Sequence, residues 1–291
     1  MAVRAVFWRK CVDRVILHVP SCFHPFLIFI STLIFLVVAA PARRSVVQHL
    51  GIILPGSSRI LNYLRAFRVF QNFAWTLTDA AAHRLLKTPF TYEVEENHFL
   101  GQLATADGGI VLTAHMGNYD LGAAIFVEKF HREIRIVRAP EPDALTAQHM
   151  GQSIERSADG AVKVDYNTDG KSLSFDLLNA LRRGEIISIQ GDRAIGEVAQ
   201  SPVTMFGRTA LLPTGPFVLA LASQVRIFPL FVIRSGYRRY RIVAREPILC
   251  LRSGRPRDEE IAAAMQQWAD VLASMIASHW PQWHAFTPVF P

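Results

Sequence analysis

From about residue 90 onward the chain alternates between short apolar stretches and longer amphipathic runs, and this alternation restricts the fold more than any other feature. The segments 92–95, 110–114, 134–138, 162–166 and 185–190 are rich in Val, Ile and Leu and read as strands. Between them, 97–106, 119–130, 145–157 and 171–183 carry apolar residues at helical spacing. A helix over 215–223 then feeds two further strands, 226–234 and 240–245, and 258–279 is amphipathic through Ile261, Met265, Trp268, Leu272 and Met275. Strands separated by helices require crossover connections, so the predicted class is α/β, with a mixed, mostly parallel central sheet flanked by helices. Pro229 predicts an interruption of its strand at an edge or a bulge. No linker divides 46–291, which reads as one domain.

Residues 1–45 form a different kind of segment. The run PFLIFISTLIFLVVAA at 25–40 lies within a stretch, 16–42, that has no Lys, Arg, Asp or Glu. About 20 apolar residues suffice to cross a bilayer, while the more apolar 26–40 also fits a re-entrant or interfacial helix. We expect a retained hydrophobic membrane-attachment helix in preference to a cleaved signal or a buried helix. Ser57 and Ser58 can cap a following helix that continues to about residue 86, with Ile60, Leu61, Leu64, Phe67, Phe70, Phe73 and Leu77 at helical spacing.

Charge supports this division. Residues 1–92 hold 11 Lys and Arg against Asp13 and Asp79 alone, whereas the remainder holds 20 against 22 acidic residues. The basic residues are interleaved with aliphatic and aromatic ones, and 51% of the chain is hydrophobic. An anionic membrane surface accounts for both features. No nucleic-acid partner is expected, because no recognition module accompanies the basic region. Cys11, Cys22 and Cys250 show no CxxC spacing, which excludes a disulfide framework or zinc knuckle and favours a reducing compartment.

The stretch VLTAHMGNYDLGAA at 111–124 carries the first chemistry. On one continuous helix His115 and Asp120 would point about 140° apart. If His115 ends a strand and Asp120 lies in the first turn of the next helix, the carboxylate can hold Nδ1 and leave Nε2 as a general base. G-x-S-x-G is absent and no cysteine has a catalytic setting, so the pair would activate a hydroxyl or amine of the substrate itself. Gln190-Gly191-Asp192-Arg193 follows the strand EIISI and sets a guanidinium at a strand end, suited to a bidentate grip on phosphate. Arg138, at the end of another predicted strand, suits the same task. No ligand set for a metal is present; H-E-x-x-H is absent and no carboxylate cluster occurs.

Taken together, these pieces resemble the lysophospholipid acyltransferase superfamily, in particular its bacterial branch of late lipid A acyltransferases and phosphatidylinositol mannoside acyltransferases. HMGNYD resembles the H-x4-D/E block of that family and QGDRAIG its later D-R segment. FGRTALLPTGPFVLALAS with FPLFVIR resembles the small-residue helix and the Pro-containing strand, and HWPQWHAF the aromatic C-terminal end. The broader superfamily carries an E-G-T-R-like phosphate block, where this chain has Gln190 and Asp192 flanking Gly191.

The resemblance implies a glycerol-3-phosphate acyltransferase-like fold and transfer of a fatty acyl group from acyl-CoA or acyl carrier protein to a hydroxyl or amine of a membrane lipid or glycolipid. It implies no cofactor beyond the thioester co-substrate. It also implies a place at the bacterial inner membrane with the active site on the cytoplasmic face. His115 and Asp120 take the catalytic roles; backbone N–H groups near Gly117 and Asn118 face the oxyanion; Arg138, Asp192 and Arg193 serve substrate binding. The alternatives are an inactive membrane lipid-binding or assembly protein and a thioester or lipid hydrolase on the same fold.

Overall fold

A computed structural model describes residues 2–95, 97–139, 161–167, 170–194, 198–250, 252 and 254–291. Nine strands are named among them: β1 (Thr91–Glu95), β2 (Gly109–Thr113), β3 (Ile134–Arg138), β4 (Val162–Tyr166), β5 (Ile186–Gln190), β6 (Gln200–Met205), β7 (Arg208–Pro213), β8 (Ile227–Gly236) and β9 (Arg239–Ala244). The helices are α1 (Ala2–His18), α2 (His24–Val38), α3 (Ala40–Ile53), α4 (Arg59–Leu86), α5 (Asn97–Ala104), α6 (Tyr119–Phe130), α7 (Gly170–Arg182), α8 (Gly215–Ser223) and α9 (Arg257–His279). The helix expected at 145–157 lies outside the described residues.

Seven strands form one sheet in the order β1-β9-β8-β2-β5-β3-β4. β8, β2, β5, β3 and β4 are parallel; β9 runs antiparallel to β8, and β1 parallel to β9. The sheet is thus mixed and mostly parallel. The uninterrupted apolar sequence of β2 follows from its place inside, covered on both faces. Because side chains alternate along a strand, Ile110 and Leu112 join one core with α7, α8 and α9, while Val111 joins another with α5 and α6.

Pro229 lies inside the sheet, not at an edge. β8 pairs with β2 as far as Leu112 opposite Pro229, and its pairing with β9 begins at Leu230. The residue without an N–H therefore falls where β8 exchanges one partner for another.

β6 and β7 form a separate antiparallel hairpin that the sequence did not announce. Phe206 and Gly207 both have positive φ, 51° and 68°, as a two-residue hairpin turn of the primed type requires. Gln266 of α9 anchors this hairpin, its side chain accepting from Thr204 N and donating to Thr204 O, each at 2.9 Å.

α4 begins at Ser58, whose side chain accepts from Leu61 N at 3.2 Å, and ends at Lys87 in the left-handed region. α1, α2 and α3 all pack along it. A division at residue 45 falls inside α3, whose Val46, Val47 and Leu50 pack with Ala66, Val69 and Phe70 of α4. The stretch Ser21–Val38 has a mean hydropathy of 2.2 and is long and apolar enough to cross a membrane.

Candidate active site

Parallel pairing decides which residues meet at the sheet's C-terminal edge. β2 and β5 lie side by side with Thr113 opposite Gln190, so residues two positions beyond each strand end emerge at one height on strands roughly 4.8 Å apart. Those residues are His115 and Asp192. His115 Nδ1 lies 2.7 Å from Asp192 Oδ1, and Trp283 Nε1 donates to Asp192 Oδ2 at 3.1 Å. Gly191 makes the approach possible. A Cβ there would stand 2.7 Å from Leu112 Cδ1, and its own N–H and C=O are held by Thr113 O and Trp268 Nε1.

Burial alone would raise the Asp192 carboxyl. The charge and hydrogen bond of His115, the Arg193 guanidinium and the Trp283 N–H outweigh it and hold the group far below the usual carboxylate range. An ionised carboxylate only accepts, so Nδ1 of His115 carries the hydrogen and Nε2 is the ring nitrogen left for substrate. That is the orientation a general base needs, and the His115 side chain keeps 10% of its surface exposed.

Asp192, grouped by sequence with the substrate-binding residues, is fully buried, its two oxygens hydrogen-bonded to His115 and Trp283. Asp120 stands in the first turn of α6 as predicted, but its side chain lies outside the described set. The position at Nδ1 belongs to Asp192.

The turn between β2 and α6 is fixed from three sides. Gly117 has φ +58°, and a Cβ on it would lie 1.9 Å from Val232 O, so only glycine fits. Its N–H donates to Gln282 O at 2.9 Å and that of Asn118 to Val232 O at 2.8 Å. Both N–H groups are therefore engaged within the fold. Asn118, completely buried, caps α6 by accepting from Leu121 N at 3.4 Å, and its Nδ2 donates to Tyr240 Oη at 3.2 Å. Tyr240 in turn donates to Asp79 of α4, and Thr76 Oγ1 donates to Gly117 O at 3.2 Å. Burial, partly offset by the Tyr240 hydrogen bond and by Arg234, raises the Asp79 carboxyl.

The residues after α9 close the site, a contribution the sequence reading did not foresee. His284 N donates to His115 O at 2.8 Å. Gln282 exchanges two 2.8 Å hydrogen bonds with the Arg234 backbone. Arg193 Nη1 donates to His284 O at 2.7 Å, tying the strand-end guanidinium to this segment. Trp283 was legible only as part of an aromatic cluster; its indole N–H, a donor that bonds Asp192, was the available signal. Burial, followed by the nearby His115 and Arg193 charges, lowers the His284 imidazole to about 3. Burial and Arg193 likewise bring His49 to about 4, against a hydrogen bond to the Ala285 backbone that raises it. Arg138 ends β3, the strand beside β5, and so shares the same edge.

The comparisons bear directly on this arrangement. The family model for bacterial lipid A biosynthesis acyltransferases matches residues 66–290, which includes both strand ends and the closing segment. The chain belongs to that family. It is 24% identical over 197 residues to a phosphatidylinositol mannoside acyltransferase of Mycobacterium tuberculosis (strain ATCC 25618 / H37Rv), covering 66% of this chain and 57% of that protein. It is 23% identical over 200 residues to the protein of that description from Mycolicibacterium smegmatis (strain ATCC 700084 / mc(2)155), covering 67% and 60%. The chain thus spans less than two thirds of the length of these relatives.

Proposed function

We propose that the protein transfers a fatty acyl chain from acyl-CoA or acyl carrier protein to a hydroxyl or amine of a membrane lipid or glycolipid of lipid A-like character. The observation that carries this reading is the His115–Asp192 pair, an imidazole whose Nδ1 is held by a buried carboxylate; among the described residues no serine or cysteine is paired with it. In this scheme Nε2 takes the proton from the acceptor hydroxyl or amine as that atom attacks the thioester carbonyl carbon. A tetrahedral oxyanion forms and collapses, the C–S bond breaks, and the thiolate leaves with the proton returned from the imidazolium. Asp192 stabilises the transient positive charge without itself accepting the proton.

Arg193 and Arg138 supply cationic character at this edge for an anionic headgroup or donor phosphate. The apolar stretch Ser21–Val38 and the basic balance of residues 1–92 support attachment to the inner membrane with the site on its cytoplasmic face. Family membership and the acyltransferase names of the relatives support the reaction class.

The test is an assay of the purified protein with acyl-CoA or acyl carrier protein and a bacterial lipid extract, read by mass spectrometry. An acylated lipid that appears with the wild type and not with His115→Ala is the expected outcome. Free fatty acid released at the same rate with and without lipid would identify a hydrolase, and lipid binding without thioester consumption a non-catalytic protein.

A further inference from the structure

We infer that the apolar N-terminal helix does not cross the membrane: α2 and the first turns of α4 lie together on one leaflet of an anionic phospholipid bilayer, with α1 and α3 on that same side. This rests on the membrane attachment proposed above and adds its geometry.

Length alone permits a span, since Ser21–Val38 has 18 residues, roughly 27 Å at 1.5 Å per residue against about 30 Å of hydrocarbon, so packing decides. The burial of α2 against α4 is the first argument. His24, Ile28 and Thr32, spaced by four, are buried; Phe29 meets Phe67 of α4 edge-on at 5.4 Å; Phe35 and Leu36 join the cluster of Ala66, Val69 and Phe70. The helix therefore lies along α4, and where one goes the other follows.

α4 cannot enter the hydrocarbon as a second span. It carries Arg65, Arg68, Asp79 and Arg84; its Thr76 bonds Gly117 beside His115, and its Phe70 and Phe73 pack on Phe286 of the closing segment. The flanking helices give the second argument. Ile16 of α1 packs with Ala81 and Ala82, and Asp13 pairs with Arg84, while Val46, Val47 and Leu50 of α3 pack against the middle of the same helix. A spanning α2 would place α1 and α3 on opposite faces of the bilayer and strip one of them from α4.

The opposite face of α2 fits a lipid surface. Phe26, Ile30, Leu33 and Val37 recur at helical spacing and are exposed, Val37 by 72%, and Ile60 and Leu64 of α4 are exposed by 77% and 66%. Basic groups border this apolar face. Arg43 donates to the Leu36 and Val37 carbonyls at the end of α2, and Arg44 and Arg59 are exposed at the starts of α3 and α4. An apolar strip edged by guanidinium groups matches acyl chains beneath anionic headgroups.

Cysteine labelling tests the geometry without relying on activity. The full chain is expressed with Cys11→Ser and Cys250→Ser, keeping the exposed Cys22 before α2; a second form adds Cys22→Ser and Arg44→Cys, beyond its other end. An impermeant maleimide is applied to spheroplasts and to inside-out vesicles. Reaction of both positions from the same face, with the protein in the membrane fraction, supports the inference. Reaction from opposite faces overturns it while leaving attachment intact; recovery of the protein in the soluble fraction, with no binding to vesicles, overturns attachment and the inference together. Should the cysteine forms fail to accumulate, the double variant Ile60→Glu/Leu64→Glu in the otherwise native chain is measured on vesicles of phosphatidylglycerol and phosphatidylethanolamine. Its binding should fall by about ten-fold or more, and unchanged binding would remove α4 from the surface and overturn the inference.

Discussion

Replacing Asp192 by Asn tests the assignment that the sequence and the structure make differently. The change is nearly isosteric, so the packing around Gly191 and Trp268 should survive, but the anion at 2.7 Å from His115 Nδ1 is lost. A hydrogen bond to a charged group contributes about 1.5–3 kcal/mol, and each 1.36 kcal/mol is a factor of ten in rate, which gives a slowing of roughly 10- to 150-fold from that bond alone. The preferred tautomer and the stabilisation of the imidazolium go with it, so the loss should extend towards the ~10⁴-fold found when the Asp of a Ser-His-Asp triad becomes Asn. The assay is acyl transfer under saturating donor and acceptor, with circular dichroism to verify folding. A fall in kcat with little change in KM is expected. A rise in KM at unchanged kcat would return Asp192 to substrate binding, and transfer within threefold of the wild type would refute the orienting role. Asp120→Asn, measured in parallel, shows whether the nearer carboxylate in sequence contributes.

Three further predictions concern the scaffold around the pair. Gly117→Ala should destabilise the fold by about 3 kcal/mol or more, since the new Cβ would meet Val232 O at 1.9 Å from a left-handed backbone; an unchanged denaturant midpoint would contradict this. Tyr240→Phe removes the donor to Asp79 and the acceptor of Asn118, at an expected cost of about 1–3 kcal/mol in urea unfolding. His49 and His284 are held neutral, at about 4 and about 3 against an ordinary 6.5. Their contribution is present above pH 6.5 and is lost progressively as pH falls from there towards about 4 for His49 and about 3 for His284, because the unfolded chain takes up protons the folded one refuses. Each imidazole should remove roughly 1.4 kcal/mol per pH unit below 6.5, and His284→Phe should remove about half of that slope; stability that is flat between pH 7.5 and 5.5 would argue against neutral burial.

Signals that act within a few residues were legible before the fold was known. The strands at 134–138 and 162–166, the α6 helix and the Ser58 cap of α4 all follow from periodicity and capping chemistry. What escaped depends on pairing across the chain. Asp192 meets His115 through the register of two parallel strands 77 positions apart, whereas sequence proximity favoured Asp120. The β6–β7 hairpin turns on Phe206 in the left-handed region, a residue with no propensity to announce it. Pro229 points by sequence to an edge or a bulge because a missing donor is tolerated there, but the change of partner from β2 to β9 tolerates it inside the sheet. The closing segment was readable as aromatic, and its bonds to His115, Gly117 and Asp192 became visible only once the chain end lay across the sheet edge.

The central claim is that His115, held by Asp192, moves an acyl chain onto a membrane lipid. It is tested most directly by comparing the lipids of cells that carry the wild-type chain with those of cells carrying His115→Ala at equal abundance in the membrane. In the variant one acylated lipid species should disappear and its acceptor, lighter by the acyl chain, should accumulate. Identical lipid profiles in the two strains would contradict it.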